Sequence, residues 1–152
     1  MTKQKYLIDT SSFITHKKTL IIFANALPQS YKMSAVVLQE LVVGASDANV
    51  VKGYEAVRKK LEKERRLVTP DSEDWLIAGK ILYTLANKER SKYGRAKGKS
   101  KEEINRIIRD SLIARTAKRE SCTVVTENVK DFELIKPYCN IKIIRGSYFF
   151  EQ

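Results

Sequence analysis

A chain of 152 residues with 43% apolar and 31% charged side chains has enough apolar surface to build one substantial core and is too apolar to stay disordered. No apolar run approaches the roughly 20 residues of a membrane span, and the N-terminus enters an apparent core strand at once with no signal-peptide apolar region. The expectation is a single cytoplasmic domain over 1–152 with no membrane contact. Lysine and arginine total 29 against 18 acids, a formal charge of +11, which favours a polyanionic partner, either nucleic acid or an acidic protein. Cys122 and Cys139 form no CxxC pair and suit a reducing compartment as packing residues.

In chain order, Tyr6-Leu7-Ile8 reads as a buried strand that ends at Asp9, with Thr10-Ser11-Ser12 able to cap a following helix. Leu20 to Leu27 is an apolar helical patch ended near Pro28. Tyr31 to Ala35 predicts a second strand, and Ser34 a cap for a helix over Val36 to Ala45. A helix opening at Ser46-Asp47 carries Val50, Tyr54, Val57 and Leu61 on one stripe and Arg58, Lys59, Lys60, Lys63 and Arg66 on the other face. Leu67-Val68 is a third strand. Thr69-Pro70-Asp71 reads as N-cap, first-turn proline and first-turn acid of a helix that buries Trp75, Ala78, Ile81, Leu82 and Leu85.

Lys88 to Lys101 interrupts this pattern as a basic loop, holding seven basic residues against Glu89 alone, with Gly94 and Gly98 as flexible points. Ser100 to Glu103 is a capping box for the next helix. Cys122 to Val125 and Ile141 to Ile144 are further strands, and Gly146 to Phe150 an aromatic tail expected to pack on the sheet or on a dimer partner. Strands alternating with helices predict a parallel sheet covered on both faces.

Four acids break the apolar patterning. Asp110 shares a helix face with Ile107, Ile113, Ala114 and Ala117. Glu40 does the same among Val36, Val37, Val43 and Gly44. Asp9 and Asp131 follow strands, where open α/β sheets place their sites. A carboxylate on an apolar stripe is costly without a partner. If the four converge, all-oxygen ligands with no histidine or cysteine select Mg²⁺ or Mn²⁺. Without an ion each pair would repel by about 4 kcal/mol at 4 Å and an effective dielectric near 20. The ion would also activate water at neutral pH. Taken singly, each acid has a plainer reading as a cap or ion-pair partner, Asp131 as the cap of the last short helix and Asn128 as a turn residue.

The ordered set resembles the PIN-domain nucleases and, within them, the VapC-type toxins of toxin–antitoxin pairs. The matching residues are Leu7-Ile8-Asp9-Thr10-Ser11, then Glu40 with Leu41 and Gly44, then Asp110-Ser111-Leu112-Ile113-Ala114 with Ala117, and finally Val125 to Phe132. The resemblance implies a three-layer α/β/α sandwich around a mostly parallel sheet, and Mg²⁺- or Mn²⁺-dependent hydrolysis of RNA phosphodiesters. It makes Asp9, Glu40 and Asp110 the core metal-holding acids and Asp131 the fourth, with Glu127 a rival for that place. Ser11, Thr126 and Asn128 would support them, Ser11 standing where many members have asparagine. A cognate antitoxin and a homodimer are further implications. The alternatives are a non-toxin PIN nuclease of RNA processing or decay and a catalytically silent RNA-binding module. Lys92, Arg95, Lys97 and Lys99 are the candidate RNA-backbone contacts, set against a plain solvated loop. His16, alone among lysines, is expected to be exposed.

Overall fold

The computed structural model describes residues 4–16, 30–93 and 99–150, with 88–93 by backbone alone. β1 (Lys5–Ile8) runs into α1 (Thr10–Thr15), and β2 (Tyr31–Ser34) into α2 (Ala35–Val43). α3 (Ala48–Lys63), β3 (Leu67–Val68), α4 (Ser72–Tyr93) and α5 (Lys101–Arg119) follow. β4 (Cys122–Thr126), α6 (Val129–Ile135), β5 (Ile143–Arg145) and α7 (Gly146–Phe150) complete the chain. The apolar patch over Leu20 to Leu27 lies outside the described residues.

The five strands form one parallel sheet in the order β3-β2-β1-β4-β5. From β1 the chain steps outward through β2 to β3, and the α4–α5 pair then carries it back across to β4. That reversal falls between β1 and β4, so the crevice at their carboxyl ends is where the topology places a site. Ile8 faces Val125 across this seam. β4 is buried along its whole length, as a central strand covered on both faces must be. Leu7, Met33, Val37, Ile113, Val124 and Phe132 sit at the centre of the core, and Cys122 and Cys139 pack into it as buried thiols. Burial pushes the Cys122 thiol up to about 11 and Cys139 upward as well, which keeps both unreactive. The molecule is an α/β/α sandwich, and among the described residues no helix is long and apolar enough to cross a membrane.

Local chemistry sets the helix starts. Ser34 accepts from Val36 N, Asp47 from Val50 N, and Ser100 from Glu103 N at 3.1 Å. α4 begins two residues later than Thr69-Pro70 suggests. Asp71 and Asp74 cap it reciprocally, Asp74 N donating to Asp71 Oδ1 at 2.8 Å and Asp71 N to Asp74 Oδ2 at 3.0 Å. The buried stripe of α4 is Asp74, Ala78, Ile81 and Leu85, spaced by four and three. Trp75 is one step off that stripe and 56% exposed, not buried as the sequence suggests.

α4 runs on to Tyr93, so the first residues of the segment read as a basic loop are helical backbone. The last strand is Ile143–Arg145, slightly later than expected, and the aromatic tail is the helix α7. Phe149 packs on the sheet residues Tyr6 and Tyr31, with ring centroids 4.7 and 6.2 Å away. Arg66, counted with the solvated face of α3, is instead buried, its Nε donating to Tyr31 O at 2.7 Å.

Candidate active site

Asp9 leaves β1 at the crevice and is buried, its backbone N–H held by Val125 O of β4 at 2.9 Å. Its carboxylate is fixed by two hydroxyls. Ser11 Oγ donates to Asp9 Oδ2 at 2.9 Å and Thr126 Oγ1 donates to the same oxygen at 2.8 Å. Behind them Glu127 N donates to Ser11 Oγ and Asn128 N donates to Thr126 Oγ1, and the two hydroxyl oxygens lie 3.1 Å apart. An ionised carboxylate only accepts, so the hydroxyls donate to Asp9. Asn128 therefore enters the site through its backbone N–H.

Glu40 reaches the crevice from α2 and Asp110 from α5. Ile107, Ile113, Ala114 and Ala117 are all buried beside Asp110, as the helical spacing requires. Glu40 lies nearer the rim: Val43, on its presumed apolar face, is 80% exposed, so the stripe inferred around Glu40 is only half buried. Asp131 is in the first turn of α6, not directly at a strand end, and its Oδ1 is 3.9 Å from Arg106 Nε.

Asp110 feels the charges of the other three acids. Asp110 is pushed up to about 8, first by burial and then by the charges of Asp9, Asp131 and Glu40, against the opposing pull of Arg109. Burial likewise raises Glu40, with Asp9 adding to the effect and Arg109 opposing it. Burial raises Asp9, offset by the Thr126 and Ser11 hydroxyls. Arg109, one residue before Asp110, lies with its Nε 3.2 Å from Glu40 Oε2. The other Glu40 oxygen, Oε1, is buried without a partner, as is Thr10 Oγ1. The Thr10 hydroxyl lowers the Glu40 pKa, yet the pair does not reach hydrogen-bond geometry.

A comparison with protein families matches residues 6–136 to the PIN domain. The chain belongs to the PIN domain family. Solved structures repeat the fold over nearly the whole length. DNA-bound VapBC from Salmonella typhimurium is 21% identical, with TM-score 0.55, covering 95% of this chain and 99% of that one. VapBC-1 from nontypeable Haemophilus influenzae gives the same values of identity, score and coverage. FitAcB from Neisseria gonorrhoeae is 18% identical with TM-score 0.51, covering 93% and 97%. No curated protein matches the sequence.

Two residues of this PIN domain depart from the sequence reading. His16 is not exposed: its side chain is 14% accessible, Nε2 is 2.9 Å from Glu127 Oε1, and its ring tilts against Phe150. Glu127 also accepts from Ser147 Oγ at 2.9 and 3.0 Å. Although burial alone would raise Glu127, the hydrogen bonds from His16 and Ser147 hold it below the usual carboxylate range. That pairing ties the end of α1, the residue after β4 and α7 together, while the charge of Asp131 acts on Asp110. Gly146 allows the close approach, since a Cβ there would collide with Ser12 Oγ and Glu127 Oε1. Of the basic candidates, Lys92 lies on the last turn of α4 and Lys99 precedes the Ser100 cap. Arg95 and Lys97 fall outside the described residues.

All four acids offer oxygen donors, and the orphaned Glu40 Oε1 together with the upward-shifted Asp110 marks a place short of positive charge. That chemistry fits a hard divalent cation. Among the described residues no three acids yet stand close enough to share one ion. Arg109 holds Glu40 in the present arrangement.

Proposed function

We propose that this PIN domain is a metal-dependent endoribonuclease, the toxin half of a toxin–antitoxin pair, which hydrolyses RNA phosphodiester bonds. The observation that carries the reading is the gathering of Asp9, Glu40, Asp110 and Asp131, from four separate elements, around the crevice where the sheet topology reverses. Asp9, Glu40 and Asp110 would hold Mg²⁺ or Mn²⁺, with Asp131 as the fourth acid. When bound, the ion supplies charge neutralisation at the phosphate and lowers the pKa of an attacking water.

The chain's own residues do the positioning. Ser11 and Thr126 hold the Asp9 carboxylate by two hydrogen bonds and oppose the upward push of burial on it. The backbone donors Glu127 N and Asn128 N, in the turn between β4 and α6, hold those hydroxyls from behind. Products with a 5′-phosphate and a 3′-hydroxyl are the expected outcome. The +11 charge favours RNA as the polyanion and equally suits an acidic segment of an antitoxin. A homodimer in the cytoplasm completes the proposal.

The test is hydrolysis of single-stranded RNA by the purified chain in Mn²⁺, with EDTA and Asp9→Asn as controls. Cleavage should fall at least about a hundredfold in both controls. Full cleavage by Asp9→Asn, or in EDTA, would contradict the assignment.

A further inference from the structure

Arg109 is the cation that acts on three of the acids at once: it pairs with Glu40 at 3.2 Å and pulls down the pKa values of Asp9, Glu40 and Asp110 together. Its own side chain is 40% exposed, so the guanidinium reaches in from solvent on a flexible stem and can withdraw without disturbing the core. The neighbouring Arg106 differs, lying 3.9 Å from Asp131 at the edge of the cluster. The arrangement leaves Glu40 Oε1 buried without a hydrogen-bond partner while Oε2 is paired with Arg109.

A divalent cation held by Glu40 would therefore compete with this guanidinium for the same carboxylate. Asp110 and Glu40 both feel the charge of Asp9, and Arg109 offsets it in the ion-free protein. A +2 ion held by Asp9, Glu40 and Asp110 would supply that positive charge in its place. We propose that Arg109 is a built-in counter-cation latch: it holds Glu40 in the ion-free protein and must release it for a divalent cation to bind. The inference rests on the metal-dependent reading above.

Two readouts, neither of them activity, test it: calorimetric titration with Mn²⁺, and melting temperature in EDTA against saturating Mn²⁺. The set is the full chain as wild type, Arg109→Gln, Arg109→Lys, Arg106→Gln and Asp9→Asn. Arg109→Gln should bind Mn²⁺ about tenfold more tightly, melt at a lower temperature in EDTA, and gain more on adding Mn²⁺ than the wild type. Arg109→Lys, which keeps a charge but loses the planar fork, should fall between. Arg106→Gln should change Mn²⁺ affinity by less than threefold. If Arg109→Gln binds Mn²⁺ no more tightly than the wild type, the latch is overturned while the metal site stands. An equal tightening in Arg106→Gln would overturn it too, by showing a general charge effect. If the wild type binds no Mn²⁺ that Asp9→Asn abolishes, the metal-dependent reading fails and the latch falls with it.

Discussion

The individual acids carry a penalty that the fold tolerates. Asp110 keeps its proton up to about pH 8 in the folded chain, whereas its ordinary value is 3.8. Between those limits the native state binds more protons than the unfolded one, so stability falls as pH rises through the window and the full penalty stands above pH 8. Asp110→Asn removes the ionisable group at nearly constant volume. In EDTA it should raise the melting temperature by roughly 5 °C at pH 8.5, and by much less at pH 5.5. An equal gain at both pH values would contradict the assignment of the shift. At this scale Asp110 was legible because its helical neighbours are apolar at every spacing that shares its face. Glu40 was found from a stripe that is half exposed. His16 was misread because its partner Glu127 is 111 residues away, and no local pattern reports such a pairing.

The helices and strands were read correctly in type and order wherever apolar spacing is strong, and less well where a polar residue takes a core position. Asp74 shows why. It is fully buried at the start of the α4 stripe, paired with Arg115 Nε and Arg119 Nη2 at 3.2 Å each, and so ties α4 to α5. A sequence reading that seeks an apolar residue there moves the stripe by one position and buries Trp75 instead. Asp74→Ala would take from Arg115 its carboxylate, leave Arg119 only Asp71 and the Thr69 carbonyl, and remove half of the α4 cap, lowering stability by about 3 kcal/mol in chemical denaturation. A loss below 1 kcal/mol would mean that the α4–α5 pairing is held by its apolar contacts alone. The opposite sign is expected at the end of α5, where Ser121 sits at φ 56°. Ser121→Gly relieves a left-handed backbone that glycine adopts freely and should stabilise by about 1 kcal/mol, seen as a melting temperature higher by about 2–4 °C.

For the whole molecule, the strand order does most to locate function. A sheet that grows outward from β1 to β3 and then restarts at β4 has one reversal point, and the residues leaving β1 and β4 there are Asp9 and Thr126. The parallel sheet was legible from alternating elements; the strand order was not, because apolar runs of four or five residues do not specify their neighbours. Net charge acts at this scale too. Neutralising Lys92, Arg95, Lys97 and Lys99 together should flatten the dependence of log K for RNA on log salt by up to about 3 units of slope. An unchanged slope would assign RNA binding to other basic residues.

We propose that Asp9, Glu40 and Asp110, with Asp131 as the fourth acid, hold one divalent cation. Anomalous diffraction from crystals soaked in Mn²⁺ tests it most directly. A single strong manganese peak bounded by Asp9, Glu40 and Asp110, with the Arg109 side chain moved off Glu40, is the predicted result. A fully soaked crystal with no peak among these acids, or with its only strong peak elsewhere on the surface, would contradict it.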